Sequence, residues 1–494
     1  MTLKKAAFLL ATASFLCINM PSPLWAGSLD DADYLTEDLV PTPEENLSET
    51  IRAMEEAGTL LYDVMKEAYR TNPTLRAGRA QLRALNEKLP QAQANYRPTV
   101  TADADATHVD TSSKGNSFVT QDGSNFSKTM SVNLTQPVYR GGRTMAATSG
   151  AENLIYAGRQ ALIDTEQQLM LSVATAYMDV LRDRALLNVA KNNESVIARQ
   201  LEAVQQRLDV GEVTETDLAQ SQARHAAAEA GVTAAEANLR ASSATYEQVT
   251  GQPPEDSLLY PENRLMLPAT LEEANIESSA HNPSVRTAEY LNAAAEDNVD
   301  ETFGELLPSI SLGAGAARAY DPQPGFLDRQ DTLSLGLSAS IPLYQGGAVR
   351  SRVREAKYTA NQRFMQILES RRAVRQQTIA AWERMKAAQA EIASREAQVR
   401  AAQIAQEGVH YEADFGERTI LDALDADQEA LDAQVGLISA RRDEVVAQFT
   451  LASALGILQP EYLGFPEETI DHKSELRSQT WNLFGINAEI DGER

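Results

Sequence analysis

Two long stretches without proline constrain this chain more than any other feature: 115 residues from Val138 to Gln252 and 117 from Leu343 to Gln459. Proline removes a helical hydrogen bond and clashes with the preceding turn, so only stretches like these can be helical from end to end. In the first, Leu162, Leu169, Val173, Ala176, Val180 and Leu187 recur in steps of three, four and seven, the seam of a coiled coil. Arg143 to Leu208 alone would make a rod of roughly 99 Å at about 1.5 Å per residue. A break at Gly211 precedes a shorter helix from Thr214 to about Thr250, and an opening helix of similar length is expected over 59–94 and 270–305. Two short helices end to end match one long helix, which predicts a wall of long antiparallel rods.

The pattern occurs twice. Asn72-Pro73 recurs as Asn282-Pro283 and Pro98 as Pro308, at an offset of 210. Pro137, Tyr139 and Gly141-Gly142 recur as Pro342, Tyr344 and Gly346-Gly347, at an offset of 205. Asp209, Gly211, Glu212, Thr214 and Asp217 follow the same offset to Asp414, Gly416, Glu417, Thr419 and Asp422. The five-residue change must fall between Pro98 and Pro137, where the polar stretch 110–116 reads as an exposed loop. The expected organisation is a first repeat over 57–254 and a second over 255–458. They are preceded by an acidic segment at 27–56 and followed by a polar tail at 459–494.

Lys4 and Lys5 precede an apolar run from Ala6 to Ile18, and Leu24-Trp25-Ala26 makes a tolerable cleavage site, so residues 1–26 read as a secretory signal peptide. The run is too short to span a bilayer as a helix. Cys17, the only cysteine, lies inside it without the small neighbours of a lipidation site, so neither a disulfide nor a lipid anchor is expected. The formal charge of −26 argues against nucleic acid, because phosphate binding needs a basic face. It suits a solvated surface or a lumen that attracts cations.

Between the opening and long helices of each repeat lie two segments of period two. Met130, Val132 and Leu134 alternate with Thr129, Ser131 and Asn133; Leu333, Leu335 and Leu337 alternate with Ser334, Gly336 and Ser338. Val100 to Thr107 and Ser309 to Ala316 behave likewise. Each is near the roughly 9–11 residues of a tilted membrane strand with one face for lipid and one for water. Tyr96, Tyr139 and Tyr344 at one end, with Phe118, Phe126 and Tyr320 at the other, suit the two membrane interfaces. Four strands cannot close a barrel and an open edge is not tolerated in lipid, so the barrel must be shared between chains.

The stretch Gln136 to Arg143, then Thr165-Glu166-Gln167, Ala176 to Asp179, Val210 to Thr214 with Thr216-Asp217, and Gly416 to Asp425 resemble the TolC family of outer-membrane efflux and type I secretion proteins. That resemblance implies an α+β membrane protein of the Gram-negative outer membrane: a homotrimer with a 12-stranded barrel and a helical periplasmic tunnel. A periplasmic adaptor and an inner-membrane pump would open its entrance. Carried over by position, the closing contacts fall on Thr216, Asp217 and Arg418, and the constriction carboxylates on Asp422 and Asp425. Ala413 departs from the pattern, standing where the best-known member has a tyrosine; Tyr411 lies nearby but out of register.

Asp422, Asp425, Glu429 and Asp432 are spaced three, four and three, one acidic stripe along a helix that starts near Thr419. Thr419-x-x-Asp422 also reads as a capping box, as does Thr214-x-x-Asp217. The cap explains Asp422 and leaves Asp425 without a structural reason.

An enzyme is not expected: the five histidines have no ligand spacing, no nucleophile elbow or phosphate loop is present, and no metal or cofactor is implied. The stronger rival is a periplasmic coiled-coil adaptor or structural protein without a membrane barrel. It accounts for the helices but not for four alternating segments.

Overall fold

In the computed structural model the first repeat opens with α1 (Leu61–Thr71), α2 (Pro73–Asn86), α3 (Lys88–Gln93) and a 3-10 turn, Ala94–Tyr96. Strands β1 (Thr99–Thr111) and β2 (Gly123–Arg140) follow, then α4 (Arg143–Asp209) and α5 (Glu215–Thr250). The same order returns as α6 (Leu271–His281), α7 (Pro283–Phe303), a 3-10 turn, β3 (Ser309–Gln323), β4 (Leu327–Ser340), α8 (Ala348–Asp414) and α9 (Ile420–Leu455), with a short α10 (Pro460–Leu463) after it. The structure describes residues 60–112, 123–262, 265–323, 327–415 and 417–465, all within one compact unit, Ala57–Arg494. The signal at 1–26, the segment at 27–56, Phe118, Gly416, part of the 110–116 loop and most of the tail lie outside the described residues.

Both 67-residue helices, α4 and α8, run unbroken. The opening helices do not. Each is interrupted at its Asn-Pro step, because the residue before proline is pushed out of the helical region. Asn72 and Asn282 are extended, with ψ 127° and 124°. Asn72 then caps the new helix by accepting from the N–H of Thr74 at 2.8 Å, and its amide donates to Val249 O in α5 at 2.8 Å. Asn282 does the same to Ser284 and to Ala454 O in α9, both at 2.9 Å. Each break is therefore riveted to the end of its own repeat's 36-residue helix.

The strands form one antiparallel sheet in the order β1-β2-β3-β4. They are 13, 18, 15 and 14 residues long, longer than the membrane minimum, and continue past the apolar band at the loop end. Register keeps the apolar residues on one face: Leu134 beside Ala314 and Leu335, Val132 beside Ala316 and Leu333. Leu333 is 87% exposed there. On the other face Ser311 and Ser338 meet at 2.8 Å and Asn133 donates to Asp103 at 3.1 Å. No helix among the described residues is long and apolar enough to cross a membrane.

Where sheet meets helices, Gly141 takes φ +66°, and a Cβ there would lie 2.4 Å from Gly304 O. Only glycine fits that approach. The main core lies further down, where α1 and the ends of α5 and α9 close on α4: Leu61, Met65, Met170, Tyr177, Leu451 and Leu455 are fully buried. Tyr177 donates to Leu259 O at 2.6 Å, tying the inter-repeat connection to that core.

Candidate functional site

The two turns farthest from the sheet carry the expected site residues. α4 ends at Asp209, Gly211 reverses the chain at φ +83°, and its N–H donates to Leu208 O at 2.9 Å. Thr214 then caps α5: its hydroxyl accepts from the N–H of Asp217 at 3.2 Å, while Asp217 accepts from the N–H and hydroxyl of Thr214 at 2.9 and 2.8 Å. The second turn reproduces this around Thr419 and Asp422, at 3.2, 3.0 and 2.8 Å. Both capping boxes were legible in the sequence, since their partners are three residues apart. The Thr214 backbone N–H and then its hydroxyl hold the Asp217 carboxyl below the usual carboxylate range. The Thr419 hydroxyl and then its N–H do the same for Asp422.

The other residues are placed differently from one another. Thr216 is exposed. Arg418 donates from Nε to Glu412 at 3.0 Å, within its own turn. Tyr411 is exposed and its ring meets that of Phe415 at a tilt of 55°, with centroids 4.7 Å apart. Asp425 does have a structural partner, which corrects the reading above: Nη2 of Arg224, on α5, donates to it at 2.6 Å. The two residues are 201 positions apart, and only helix packing brings them together.

Asp427, absent from the sequence reading, is the most enclosed acid of this region, 4% exposed. Its Oδ1 accepts from Nε2 of Gln406 and faces Nε2 of His410, both on α8 at 2.7 Å; its Oδ2 accepts from Gln200 on α4, also at 2.7 Å. One carboxylate thus joins three helices. The signal was available. Asp427 falls on the buried seam Leu424, Asp427, Ala430 rather than on the exposed stripe of Asp425, Glu429 and Asp432, and an acid on such a seam must find partners.

Around Asp427 the helices are closely packed through small residues, Ala402 of α8 against Ala430 and Ala433 of α9. An open cleft of about 340 Å³ lies nearby between α4, α5 and α9, lined by Val189, Ile197, Arg224, Gly231, Leu431 and Val435. Higher up, Arg442 of α9 donates to Asp179 of α4 at 2.9 Å. The helix pairs are therefore joined by a few polar links at the turns and by an apolar core above.

The family described as "Outer membrane efflux protein" matches residues 64–252 and 277–457. The chain is 32% identical over 455 residues to outer membrane efflux protein BepC of Brucella suis biovar 1, covering 92% of this chain and 96% of that protein. It is 28% identical to outer membrane protein TolC of Escherichia coli K12, covering 82% and 83%. The crystal structure of the Campylobacter jejuni CmeC outer membrane channel superposes with a TM-score of 0.73 at 15% identity, covering 94% of this chain and 98% of that one. With two helix-strand repeats, a sheet with a membrane face and a matching length, the chain belongs to the outer membrane efflux protein family and is an export channel of the outer membrane.

Proposed function

We propose that three copies of this chain close a 12-stranded barrel and a continuous helical tunnel for type I protein secretion, drug efflux or both. The repeats at 57–254 and 255–458 each give two strands and one set of tunnel helices. The observation that carries this reading is the sheet itself: it presents a leucine-rich face outward, and β1 and β4 each pair on one side only. Unpaired edges are not stable in lipid. The repeat geometry agrees, since Gly346, the counterpart of Gly141, meets nothing within 4 Å in one chain. Outer-membrane fractions should yield a trimer that survives mild detergent and dissociates on heating; recovery of a soluble periplasmic monomer would refute it.

The turns then form the entrance, engaged by an adaptor and an inner-membrane pump. Thr216, Asp217 and Arg418 supply closing contacts, and Asp422 and Asp425 form rings of three carboxylates about 4.5 Å apart along the helix. Low-dielectric walls focus the field of such rings and favour cations. Arg418→Ser should raise single-channel conductance in a planar bilayer. Asp422→Ala/Asp425→Ala should weaken block by a trivalent metal complex added from the helical side, and equal block would remove both acids from the role.

A further inference from the structure

The outward face of the sheet changes from apolar to cationic along the strands, in rows fixed by register. Leu134, Ala314 and Leu335 lie side by side, then Val132, Ala316 and Leu333, then Met130, Arg318 and Asp331, then Lys128, Tyr320 and Arg329. Each row is two residues from the last, so all share one face. Phe126 and His108 make the next row. At the helical end Tyr139 lies beside Ile310. Ile310 to Tyr320 spans ten steps, about 33 Å of strand at ~3.3 Å each. A tilt of about 40° reduces this to about 25 Å, the height of an outer-membrane apolar band. The row Lys128, Tyr320, Arg329 therefore lies at headgroup level in the leaflet remote from the helices, which is the outer one.

These cations are held in place. Asp331 accepts from Nε and Nη2 of Arg318 at 2.6 and 3.2 Å and lies 3.4 Å from Nη2 of Arg329. One carboxylate fixes two guanidinium groups and balances the charge of one. Lys128 sits over the Phe126 ring, 5.3 Å from its centroid. On the same face Asp110 lies 3.4 Å from Nε2 of His108, one row beyond Lys128. Just past Tyr320 the pairing shifts register and Asp321 takes φ +49°, so the regular pairing of β3 with β4 ends at this row. Arg329 and Lys128 remain as exposed positive charge in excess of the ion pair.

We propose that Lys128, Arg318 and Arg329 form a binding site for the phosphate of an outer-leaflet lipid headgroup, with Tyr320 and Phe126 at the boundary to its acyl chains. This rests on the sheet being barrel wall. Guanidinium groups match phosphate oxygens in a fork, and lysine adds a compact charge. Their aliphatic stems lie along the apolar band while the charged heads reach the headgroups.

The trimer, purified in neutral detergent, is heated after addition of lipid A, the same glycolipid stripped of phosphate, or inorganic phosphate. Stabilisation by the phosphate-free lipid reports the apolar band alone, and its absence would remove the barrel-wall reading. The site predicts a larger gain from lipid A, lost in Lys128→Gln/Arg329→Gln and retained in Lys128→Arg/Arg329→Lys. Arg329→Gln alone keeps the Arg318 to Asp331 pair and reads the same loss should the double variant fail to assemble. Equal gains from both lipids, or an extra gain that survives the neutral variants, overturns the proposal. Inorganic phosphate matching lipid A overturns the lipid assignment in favour of a free anion.

Discussion

α4 and α8 occupy the same position in their repeats and have the same length, yet their surroundings differ. α4 packs against α1, α2 and α3 on one flank, α7 on the other, and α5 and α9 below. α8 packs against α6, α7 and α9. Its remaining flank exposes Tyr358 and Met365. Their counterparts on α4 at the same offset are Asn153 and Gln160, both half-buried. Asn153 donates to Asp297 of α7 at 2.7 Å. The repeat tells what α8 lacks: as α4 sits between the opening helices of both repeats, the proposed trimer would give α8 the α1–α3 of another copy. Large exposed apolar side chains mark such interfaces. One helix is enclosed within the chain and the other is left open on that flank.

The comparison breaks first at the free flank. Tyr358→Asp places a charge where a neighbouring copy must pack, and the heat-sensitive trimer band should disappear on gels. Asn153→Asp should leave the band in place. A trimer that tolerates Tyr358→Asp would separate α8 from the subunit interface.

The next effect is a difference between equivalent core positions. Met170 on α4 is fully buried, whereas Arg375, at the same offset on α8, is exposed. Met170→Ala should cost about 2–5 kcal/mol, read as a lowered unfolding temperature, while Arg375→Ala should fall within about 0.5 kcal/mol of wild type. Similar losses at the two positions would mean that the helices are covered alike.

A smaller difference is expected between the two turns and the apolar core. Asp427→Ala would strand the amide donors of Gln200 and Gln406 and take away the partner of His410, at a cost of about 1–3 kcal/mol. Hydrogen exchange should quicken in the lower halves of α8 and α9 and leave the α1–α4 core unchanged.

The smallest effects should be equal in the two repeats, because the caps are. Thr214→Ala and Thr419→Ala each remove a capping hydroxyl, worth about 1 kcal/mol for a typical cap, and should fray the first turns of α5 and α9 alike. Acid should do the same. Asp217 and Asp422 titrate below the usual range in the fold. Their contribution is therefore present above that range and lost as pH falls through the folded values. Glu166 on α4 has the opposite sign: burial raises its pKa, partly offset by the Tyr69 hydroxyl and Arg79. The native state binds that proton more readily, so acidification through its range adds stability there. Position 371 on α8 holds an arginine, so α8 has no counterpart of this buried carboxyl. Exchange measured across an acid titration would show first-turn fraying in both repeats and no loss near Glu166.

The duplication, the two unbroken rods, the strand faces and both capping boxes are legible in the chain's residue pattern, because each rests on local spacing or on the repeat of that spacing. The resemblance in its motifs also pointed to the family. That pattern held the helix breaks too, in Asn72-Pro73 and Asn282-Pro283, although the reading carried each opening helix across that step. Packing alone makes Arg224 claim Asp425, joins α4, α8 and α9 at Asp427, brings Gly141 to Gly304, and encloses α4 while leaving α8 open. Those contacts join parts of the chain far apart in sequence. Helical and strand periodicities repeat identically in both halves and show which face a residue takes, but the partner on that face is set by how the rods pack around one another.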